Sequence, residues 1–346
     1  MQKEQVRGFF SIRKAILTTF IFFILASFDV TAQQIGASPS VYDAVVPKAQ
    51  NLDIKNNFLV NSFSGSAVYS YPLAVPPGTN GLQPTLNIFY NSHNAVQRPD
   101  ILESGWTLSE SYIQRDTNYT VDYNYTVDNK PDDEFTLILE GIPYELIHNR
   151  TNNRFHTQVE TFMYIQNTSG SDENDNDEYW IVRTKDGRSY RFGYYNFSEI
   201  LSNQYNYTWR WNLDLVNDTY NNTIHYNYRE NPFPNDEGTV YLDSILYNND
   251  SKRKINFYYE TGNRPYLRTV YENGNKVTQS RRLKEIIINT SSGMVRRYFF
   301  GYETLKENAT MSFLANLTEY GNDNINSLPS IKFEYTKAEA GWNKSR

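Results

Sequence analysis

Apolar and polar side chains alternate with a period of two along much of the chain, which is the pattern of half-buried β-strands. One such run covers residues 67–75, and a second covers residues 85–90, with Leu86 and Ile88 on the same face. A Pro-Pro-Gly turn at 76–78 separates the two runs. This stretch is therefore predicted to form a strand, a turn and a second strand.

Short alternating runs continue through the first half of the chain, and turn residues separate them. An Asp-Gly pair at 186–187 stands between two such runs and is a strong short-range signal for a hairpin. Further strands are predicted at 135–141 paired with 144–147, at 155–159, at 162–166, and at 179–184 paired with 189–194.

The second half of the chain repeats one pattern four times. Each repeat begins with a run rich in leucine or isoleucine, continues through a turn and closes on a tyrosine. The closing residues are Tyr228, Tyr259, Tyr302 and Tyr335, which are 31, 43 and 33 residues apart. Repeats of this length predict serial hairpins, each of which buries its apolar face against the next.

These patterns predict an all-β protein. Its serial antiparallel β-hairpins are expected to form a large curved sheet, either shell-like or sandwich-like, with under about a tenth of the mature chain helical. The aromatic content of 16%, which includes 29 tyrosines, suits this fold because broad amphipathic rings pack well on a pleated, half-buried surface.

The first 32 residues have the pattern of a signal peptide. A basic segment precedes an apolar run at 15–28, and small residues lead up to Ala32. The apolar run is shorter than the roughly 20 residues that a membrane-spanning helix needs. Cleavage between Ala32 and Gln33 is predicted, with an uncleaved anchor as the alternative. Residues 33–57 are interpreted as an extended lead-in.

The charge and the absence of cysteine restrict the possible partners and compartments. The formal net charge is −6, and removal of residues 1–32, with four basic and two acidic residues, makes it −8. An acidic chain of this kind argues against a nucleic-acid partner. The chain has no cysteine, so a secreted form holds no disulfide and depends on its core and its strand pairing. No later run predicts a membrane span.

Motifs for catalysis are scarce, and no catalytic, cofactor-binding or metal-binding residue is predicted. The chain has four histidines and no Gly-x-Ser-x-Gly elbow, HExxH, Walker loop or GxGxxG motif. A pair of carboxylates with glycosidase geometry stays open, because 39 acidic residues offer many pairs. The acidic run at 172–178 departs from the EF-hand pattern and is interpreted as a solvated hairpin tip. Basic clusters at 252–254, 281–282 and 296–297 are interpreted as turn and strand-face residues.

One group of residues between 65 and 115 carries a family resemblance through its order and spacing. It consists of Pro72, Leu73, Pro76, Pro77, Gly78, Gly81, Pro84, Leu86, Ile88, Tyr90, Asn91, Ser92, Gly105, Trp106, Leu108, Ile113 and Arg115. This signature resembles the N-terminal domain shared by SpvB-type virulence plasmid proteins and the B components of insecticidal toxin complexes, which are relatives of RHS/YD-repeat proteins. The later hairpins extend the resemblance over roughly residues 60–340, so residues 58–346 are expected to form this domain.

The resemblance implies a non-catalytic, secreted structural module. In the toxin relatives this region forms part of a β-sheet shell that encloses or presents an effector, and its partners are other domains or subunits of the assembly. Further domains follow in those relatives, so this chain is expected to be either a fragment or a lone module. The alternatives are a secreted adhesin or carbohydrate-binding module, and a secreted hydrolase with two carboxylates in a cleft.

Overall fold

A computed structural model describes residues 58–61, 65–96, 99–116, 134–202, 207–248, 252–267, 269–272, 275–304 and 312–335. These residues belong to one compact unit that spans residues 44–346. Their secondary structure consists of 22 β-strands and three short 3-10 turns at Thr79–Gly81, Ser92–Val96 and Asn196–Ser198. The predicted signal peptide, its cleavage site and the lead-in at 33–57 lie outside the described residues.

The N-terminal part forms a four-stranded antiparallel sheet. Its strands follow the chain order and are β1 (Phe58–Val60), β2 (Ala67–Pro72), β3 (Asn87–Asn91) and β4 (Trp106–Leu108). Ile88 pairs with both Tyr71 and Leu108, and all three side chains are buried. The predicted hairpin across the Pro-Pro-Gly turn is the β2–β3 pair.

Eight strands of a second, larger sheet close into a barrel. They are β5 (Tyr112–Asp116), β6 (Glu134–Leu139), β7 (Ile142–Asn149), β8 (Arg154–Thr157), β9 (Tyr164–Ser169), β10 (Glu178–Arg183), β11 (Ser189–Phe192) and β13 (Thr208–Asn217). Each strand pairs with the next in that order, and β13 returns to pair with β5 through residues 210–212. The short strand β12 (Glu199–Leu201) also pairs with β13.

The interior of this barrel is filled with side chains. Trp180 and Trp211 are fully buried, with ring centroids 5.8 Å apart, and Phe135 contacts both rings. Inward-facing Leu137 and Ile165 are also fully buried. An eight-stranded barrel is just wide enough for its own side chains to fill it. The barrel is therefore a solid core and leaves no channel for cargo.

The sheet forks at β13 and continues as an open outer sheet. Residues 215–217 of β13 pair with β14, beyond the segment that pairs with β5. The strands that follow are β14 (Thr223–Glu230), β15 (Val240–Tyr247), β16 (Arg253–Tyr259), β19 (Leu283–Thr290), β20 (Gly293–Thr304), β21 (Ser312–Tyr320) and β22 (Ile331–Lys332). A separate hairpin, β17 (Thr269–Glu272) and β18 (Asn275–Thr278), lies between β16 and β19 in the chain.

The four-stranded sheet packs against the outer sheet, and both contribute to one hydrophobic core with the barrel. That core includes Ile88 and Leu102 from the N-terminal part and Ile286 and Leu314 from the outer sheet. The prediction of an all-β fold made of serial antiparallel hairpins is confirmed. One strand begins later than predicted: β9 starts at Tyr164, so Phe162 lies in the loop before it.

Candidate functional site: a tyrosine ladder across the outer sheet

The four repeat-closing tyrosines make the same hydrogen bond. Each phenol donates its proton to the backbone carbonyl of a leucine in an earlier strand. The pairs are Tyr228 with Leu213 (2.8 Å), Tyr259 with Leu242 (2.9 Å), Tyr302 with Leu283 (2.5 Å) and Tyr335 with Leu314 (2.6 Å). We call this set the tyrosine ladder.

A β-bulge precedes three of these four tyrosines. The strand register shifts between Asn227 and Tyr228, between Tyr258 and Tyr259, and between Gly301 and Tyr302. A bulge adds one residue to a strand and changes the direction of the side chains after it. The bulge therefore explains why each of these rings turns towards the buried face and reaches back to an earlier strand.

The hydrogen bonds form a continuous chain across the sheet. Tyr228 pairs in the strand ladder with Leu242, and the carbonyl of Leu242 accepts the proton of Tyr259. Tyr259 in turn pairs with Leu283, which accepts from Tyr302. Each repeat is therefore linked to the next by strand pairing and by a side-chain hydrogen bond.

Burial keeps these phenols protonated. Burial away from water raises the pKa of Tyr228, Tyr259 and Tyr302 well above the ordinary value of a tyrosine. Burial also raises the pKa of Tyr335. A buried phenol that lacked an acceptor would leave a polar group unsatisfied. The leucine carbonyls supply that acceptor, so the ladder is a structural device with no free proton donor for chemistry.

Trp106 attaches the N-terminal sheet to the end of the ladder. Its indole N–H donates to the Tyr335 hydroxyl at 2.7 Å, although the two residues are 229 positions apart. Tyr90 and Phe333 pack against the indole ring at centroid distances of 5.2 and 4.5 Å. We call this contact the aromatic clamp, and it joins β3 and β4 to the segment after β22.

Gly105 lets the clamp close. Its φ is +80°, and a Cβ there would lie 2.6 Å from the Tyr90 ring, closer than real Cβ contacts. The Asn91 N–H donates to the Gly105 carbonyl at 2.9 Å, and the Asn91 side-chain oxygen accepts from the His93 N–H at 2.9 Å. The Ser92 hydroxyl oxygen accepts from the Ala67 N–H at 3.0 Å.

The proline-rich loop between β2 and β3 docks on the outer sheet. Gly78 is required by a close backbone approach, because an added Cβ would lie 1.7 Å from the Leu82 carbonyl oxygen. The Tyr247 hydroxyl donates to the Pro76 carbonyl at 2.8 Å. Further signature residues lie in or beside this loop: Pro72 ends β2, Pro77 precedes Gly78, and Pro84 is buried before β3.

Arg115 is separate from the other signature residues, because it lies at one end of the barrel. Its guanidinium is 5.1 Å from the Phe135 ring centroid and 5.4 Å from that of Trp211. Its Nε donates to the Thr208 carbonyl at 2.9 Å, and its Nη2 lies 3.3 Å from a Glu178 carboxylate oxygen. These contacts join β5 to β13 and β10 at the closure of the barrel.

Two crevices bring carboxylates together, and both are too small for a substrate. One has a volume of about 30 Å³ and is lined in part by Glu110 and Glu140. The other, of about 20 Å³, is lined in part by Asp100, Glu110 and Glu272. Such volumes hold one or two waters, whereas ligand pockets are roughly 300–1,000 Å³. Glu110 is also engaged, since it accepts from Arg210 at 3.1 Å.

The acidic run at 172–178 forms the connection between β9 and β10, but it folds back onto the barrel rim. Asn174 donates to the carbonyls of Glu178 and Gly193 at 2.8 and 2.7 Å, and the Asp175 N–H donates to Glu199 at 2.7 Å. It is therefore more anchored than a free hairpin tip. Within the described ranges, no group of three or more His, Asp or Glu side chains has the geometry of a metal site.

Alternation and turn signals could not have found the ladder hydrogen bonds or the clamp. The tyrosine spacing identified the repeats, but it did not reveal the bulges that turn the rings. Trp106 and Tyr335 are paired only because two sheets meet in space.

The molecule is an all-β protein, built from a filled barrel and an outer hairpin sheet whose repeats are linked by tyrosine hydrogen bonds. The chain belongs to the SpvB family, described as the Salmonella virulence plasmid 65kDa B protein, whose family model matches residues 61–303. Comparison with curated protein sequences gives no match.

Solved structures with the same fold come from toxin proteins. The crystal structure of TcdB2-TccC3 is 17% identical, with a TM-score of 0.63 over 80% of this chain. The Photorhabdus luminescens Tc holotoxin pore is 17% identical, with a TM-score of 0.62 over 78% of this chain. This chain spans only 16% of each of those two chains.

A second kind of similar structure is an isolated domain. The N-terminal domain of the effector protein SpvB from Salmonella typhimurium strain LT2 is 16% identical, with a TM-score of 0.58. The match covers 72% of this chain and 98% of that domain. At these identities the likeness shows the fold, and it confirms the resemblance that the signature residues indicated.

Proposed function

We propose that this protein is a non-catalytic, exported structural module that forms part of a β-sheet wall around an effector or presents one. The observation that carries the proposal is the tyrosine ladder, which links four successive repeats into one sheet and engages its phenols in backbone hydrogen bonds. The filled barrel supports the same role, since it offers rigidity in place of a cavity.

The partners proposed for this wall are other domains or subunits of a toxin-type assembly. Among the described residues, the outer sheet ends at β22, a strand of two residues, and residues 321–330 before it are exposed. Within this segment Ile325 is 81% exposed and Leu328 is 59% exposed. An uncovered sheet edge with apolar side chains is a template for further strands. We call residues 321–332 the open edge and propose that a partner covers it.

Export is proposed from the signal-peptide pattern of residues 1–32. Among the described residues, no helix is long and apolar enough to span a membrane. The test is N-terminal sequencing of the protein recovered from the culture medium of a bacterial host. A mature chain that starts at Gln33 supports cleavage after Ala32, whereas an intact N-terminus retained in the membrane fraction supports an anchor.

The alternative of a general adhesin or carbohydrate-binding module requires tryptophans and tyrosines gathered on one exposed face. Trp106, Trp180, Trp209 and Trp211 are at most 2% exposed, so none of them presents a ring to solvent. The wall role is preferred because these large rings are used for packing.

The open edge is tested by the mass of the chain from Gln33 to Arg346 in solution, measured by size-exclusion chromatography with light scattering over a range of concentrations. We expect self-association through the uncovered edge, and we expect Leu328→Lys and Ile325→Lys to shift the protein towards the monomer. Tyr220→Lys is the matched control, because Tyr220 is 74% exposed and lies in the β13–β14 turn. A wild-type monomer at every concentration contradicts the proposal.

A further inference from the structure

A group of cations and aromatic rings lies on the outer wall of the barrel, at β8–β10. The Tyr164 ring is contacted by two guanidinium groups, that of Arg154 at 4.5 Å and that of Arg183 at 5.3 Å. Beside it, the Lys185 ammonium lies 4.1 Å from the centroid of the Phe162 ring. We call these five residues the cation patch.

The cations of this patch differ from the other ring-stacked arginines of the chain. Most of the other ring-stacked arginines also pair with a carboxylate: Arg191 with Asp214, Arg210 with Glu110, Arg229 with Asp243, Arg282 with Glu260 and Arg297 with Glu285. The exception among the described residues is Arg281 over the Phe233 ring, and it is buried. Among the described residues, no carboxylate lies within 4.0 Å of the charged nitrogens of Arg154, Arg183 or Lys185. These three positive charges are therefore available to an external anionic ligand.

Stacking prepares the two arginines to bind an anion. Arg183 pairs directly with Tyr164 across β9 and β10, so the ring and the guanidinium lie on the same face of the sheet. A guanidinium stacked on a ring keeps its N–H donors in its own plane, where they match the oxygens of a carboxylate or a sulfate. Both arginine residues are exposed, so those donors are accessible.

Phe162 lies in a hydrogen-bonded loop and has a strained backbone conformation. Its side chain is 69% exposed and its φ is +59°, which is unfavourable for a bulky residue. The Thr157 hydroxyl fixes the loop, since it donates to the Val159 carbonyl at 2.7 Å and accepts from the Thr161 N–H at 3.2 Å. Strained backbone is found more often at ligand-binding sites than elsewhere in proteins.

The one carboxylate of this loop is already engaged. Glu160 accepts a hydrogen bond from the Phe162 N–H and lies 3.8 Å from the His156 ring nitrogen. It therefore stabilises the loop and leaves the three patch cations without an internal counter-ion.

We propose that the cation patch binds an acidic polysaccharide, meaning a sugar chain that carries sulfate or carboxylate groups. The arginine forks and Lys185 bind the anionic groups, and the open face of Phe162 packs against the apolar face of a sugar ring. The chain as a whole carries a net charge of −6, so the attraction for an anionic sugar comes from the patch and not from the overall charge of the protein. The site is independent of the wall role and of the open edge.

The test is titration calorimetry of the chain from Gln33 to Arg346 with heparin oligosaccharide, hyaluronan oligosaccharide, neutral dextran and poly-glutamate at several salt concentrations. We expect the two acidic sugars to bind and dextran not to bind. The triple variant Arg154→Gln, Arg183→Gln, Lys185→Gln should weaken heparin binding by about tenfold or more and flatten the salt dependence. Phe162→Ala should weaken sugar binding and leave any poly-glutamate binding unchanged.

The matched control is the triple variant Lys252→Gln, Lys284→Gln, Lys332→Gln, which removes the same charge at exposed positions elsewhere. Because all these side chains are on the surface, circular dichroism should show every variant folded. The proposal is overturned if neither acidic sugar binds, or if the control triple weakens binding as much as the patch triple. It is also overturned if poly-glutamate binds as tightly as heparin and Phe162→Ala changes neither, since the patch would then fit an acidic protein.

Discussion

The substitution Tyr259→Phe tests the tyrosine ladder most cleanly, because it removes one hydroxyl and keeps the ring. The hydroxyl donates to the Leu242 carbonyl at 2.9 Å, and both residues are buried. The variant loses this hydrogen bond and leaves a buried carbonyl with one acceptor site unfilled. Such a loss costs about 1 to 2 kcal/mol of the free energy of unfolding.

The assay is urea unfolding followed by circular dichroism. A chain of this size has a denaturant slope of about 3 kcal/mol per molar, so the midpoint should fall by about 0.3 to 0.7 M. The matched control is Tyr258→Phe, since Tyr258 is the adjacent residue and is 45% exposed. The control should change the free energy by less than about 0.5 kcal/mol.

A double variant tests whether the ladder acts as a connected unit. Tyr302 donates to Leu283, and Leu283 pairs with Tyr259 in the strand ladder. The effects of Tyr259→Phe and Tyr302→Phe should therefore depart from additivity by about 0.5 kcal/mol or more. If Tyr259→Phe is no more destabilising than Tyr258→Phe, the Tyr259 hydrogen bond does not stabilise the fold. If the effects of Tyr259→Phe and Tyr302→Phe simply add, the tyrosines do not act as a connected ladder.

Three further outcomes are expected. Gly105→Ala should destabilise the protein by about 2 kcal/mol more than Gly65→Ala, because both glycines have positive φ but only Gly105 faces the Tyr90 ring. Urea midpoints measure the two losses of stability, and equal losses would contradict the clamp. Trp106→Ala should cost about 3 to 5 kcal/mol in the same assay, and a loss under about 1 kcal/mol would show that the indole is not a core residue. The free energy of unfolding should fall as the pH rises from about 10 to 12. Burial raises the pKa of three tyrosines to about 12 in the folded state, so the unfolded chain loses these protons at lower pH than the folded chain. Thermal unfolding against pH measures this, and a flat profile would contradict it. Those tyrosines are Tyr190, Tyr247 and Tyr298.

Local pattern was enough to predict most strands. Alternation placed Leu86, which directly precedes β3, and Ile88 in β3 on one face, and both are buried. The Asp-Gly pair at 186–187 marked the β10–β11 hairpin, where Gly187 has a φ of +84°. These features depend on neighbouring residues alone, so one sequence contains the information.

Long-range features were not predictable in the same way. The barrel closes because β13 pairs with β5, about 100 positions earlier in the chain, and nothing local in either strand specifies that partner. Phe162 was assigned to a strand because its run alternates, whereas the Thr157 hydroxyl bonds and the positive φ place it in a loop. Tertiary contacts overrode the local preference there.

The signature residues illustrate both what the sequence predicts and what it leaves out. Their spacing identified the family, but it did not show that Trp106 closes a clamp with Tyr335 or that Arg115 lies at the barrel closure. The ladder needed a further observation, namely the bulges before Tyr228, Tyr259 and Tyr302. A bulge depends on the partner strand, so the sequence of one strand alone does not specify it.

In the proposed role, a partner covers the open edge of the outer sheet. The most direct measurement is amide hydrogen exchange by mass spectrometry at low and high protein concentration. We expect peptides from residues 321–332 to gain protection as the concentration rises, while buried strands such as Leu283–Thr290 exchange equally slowly at both concentrations. Exchange at 321–332 that is independent of concentration, or protection that appears at another surface instead, would show that the open edge receives no partner.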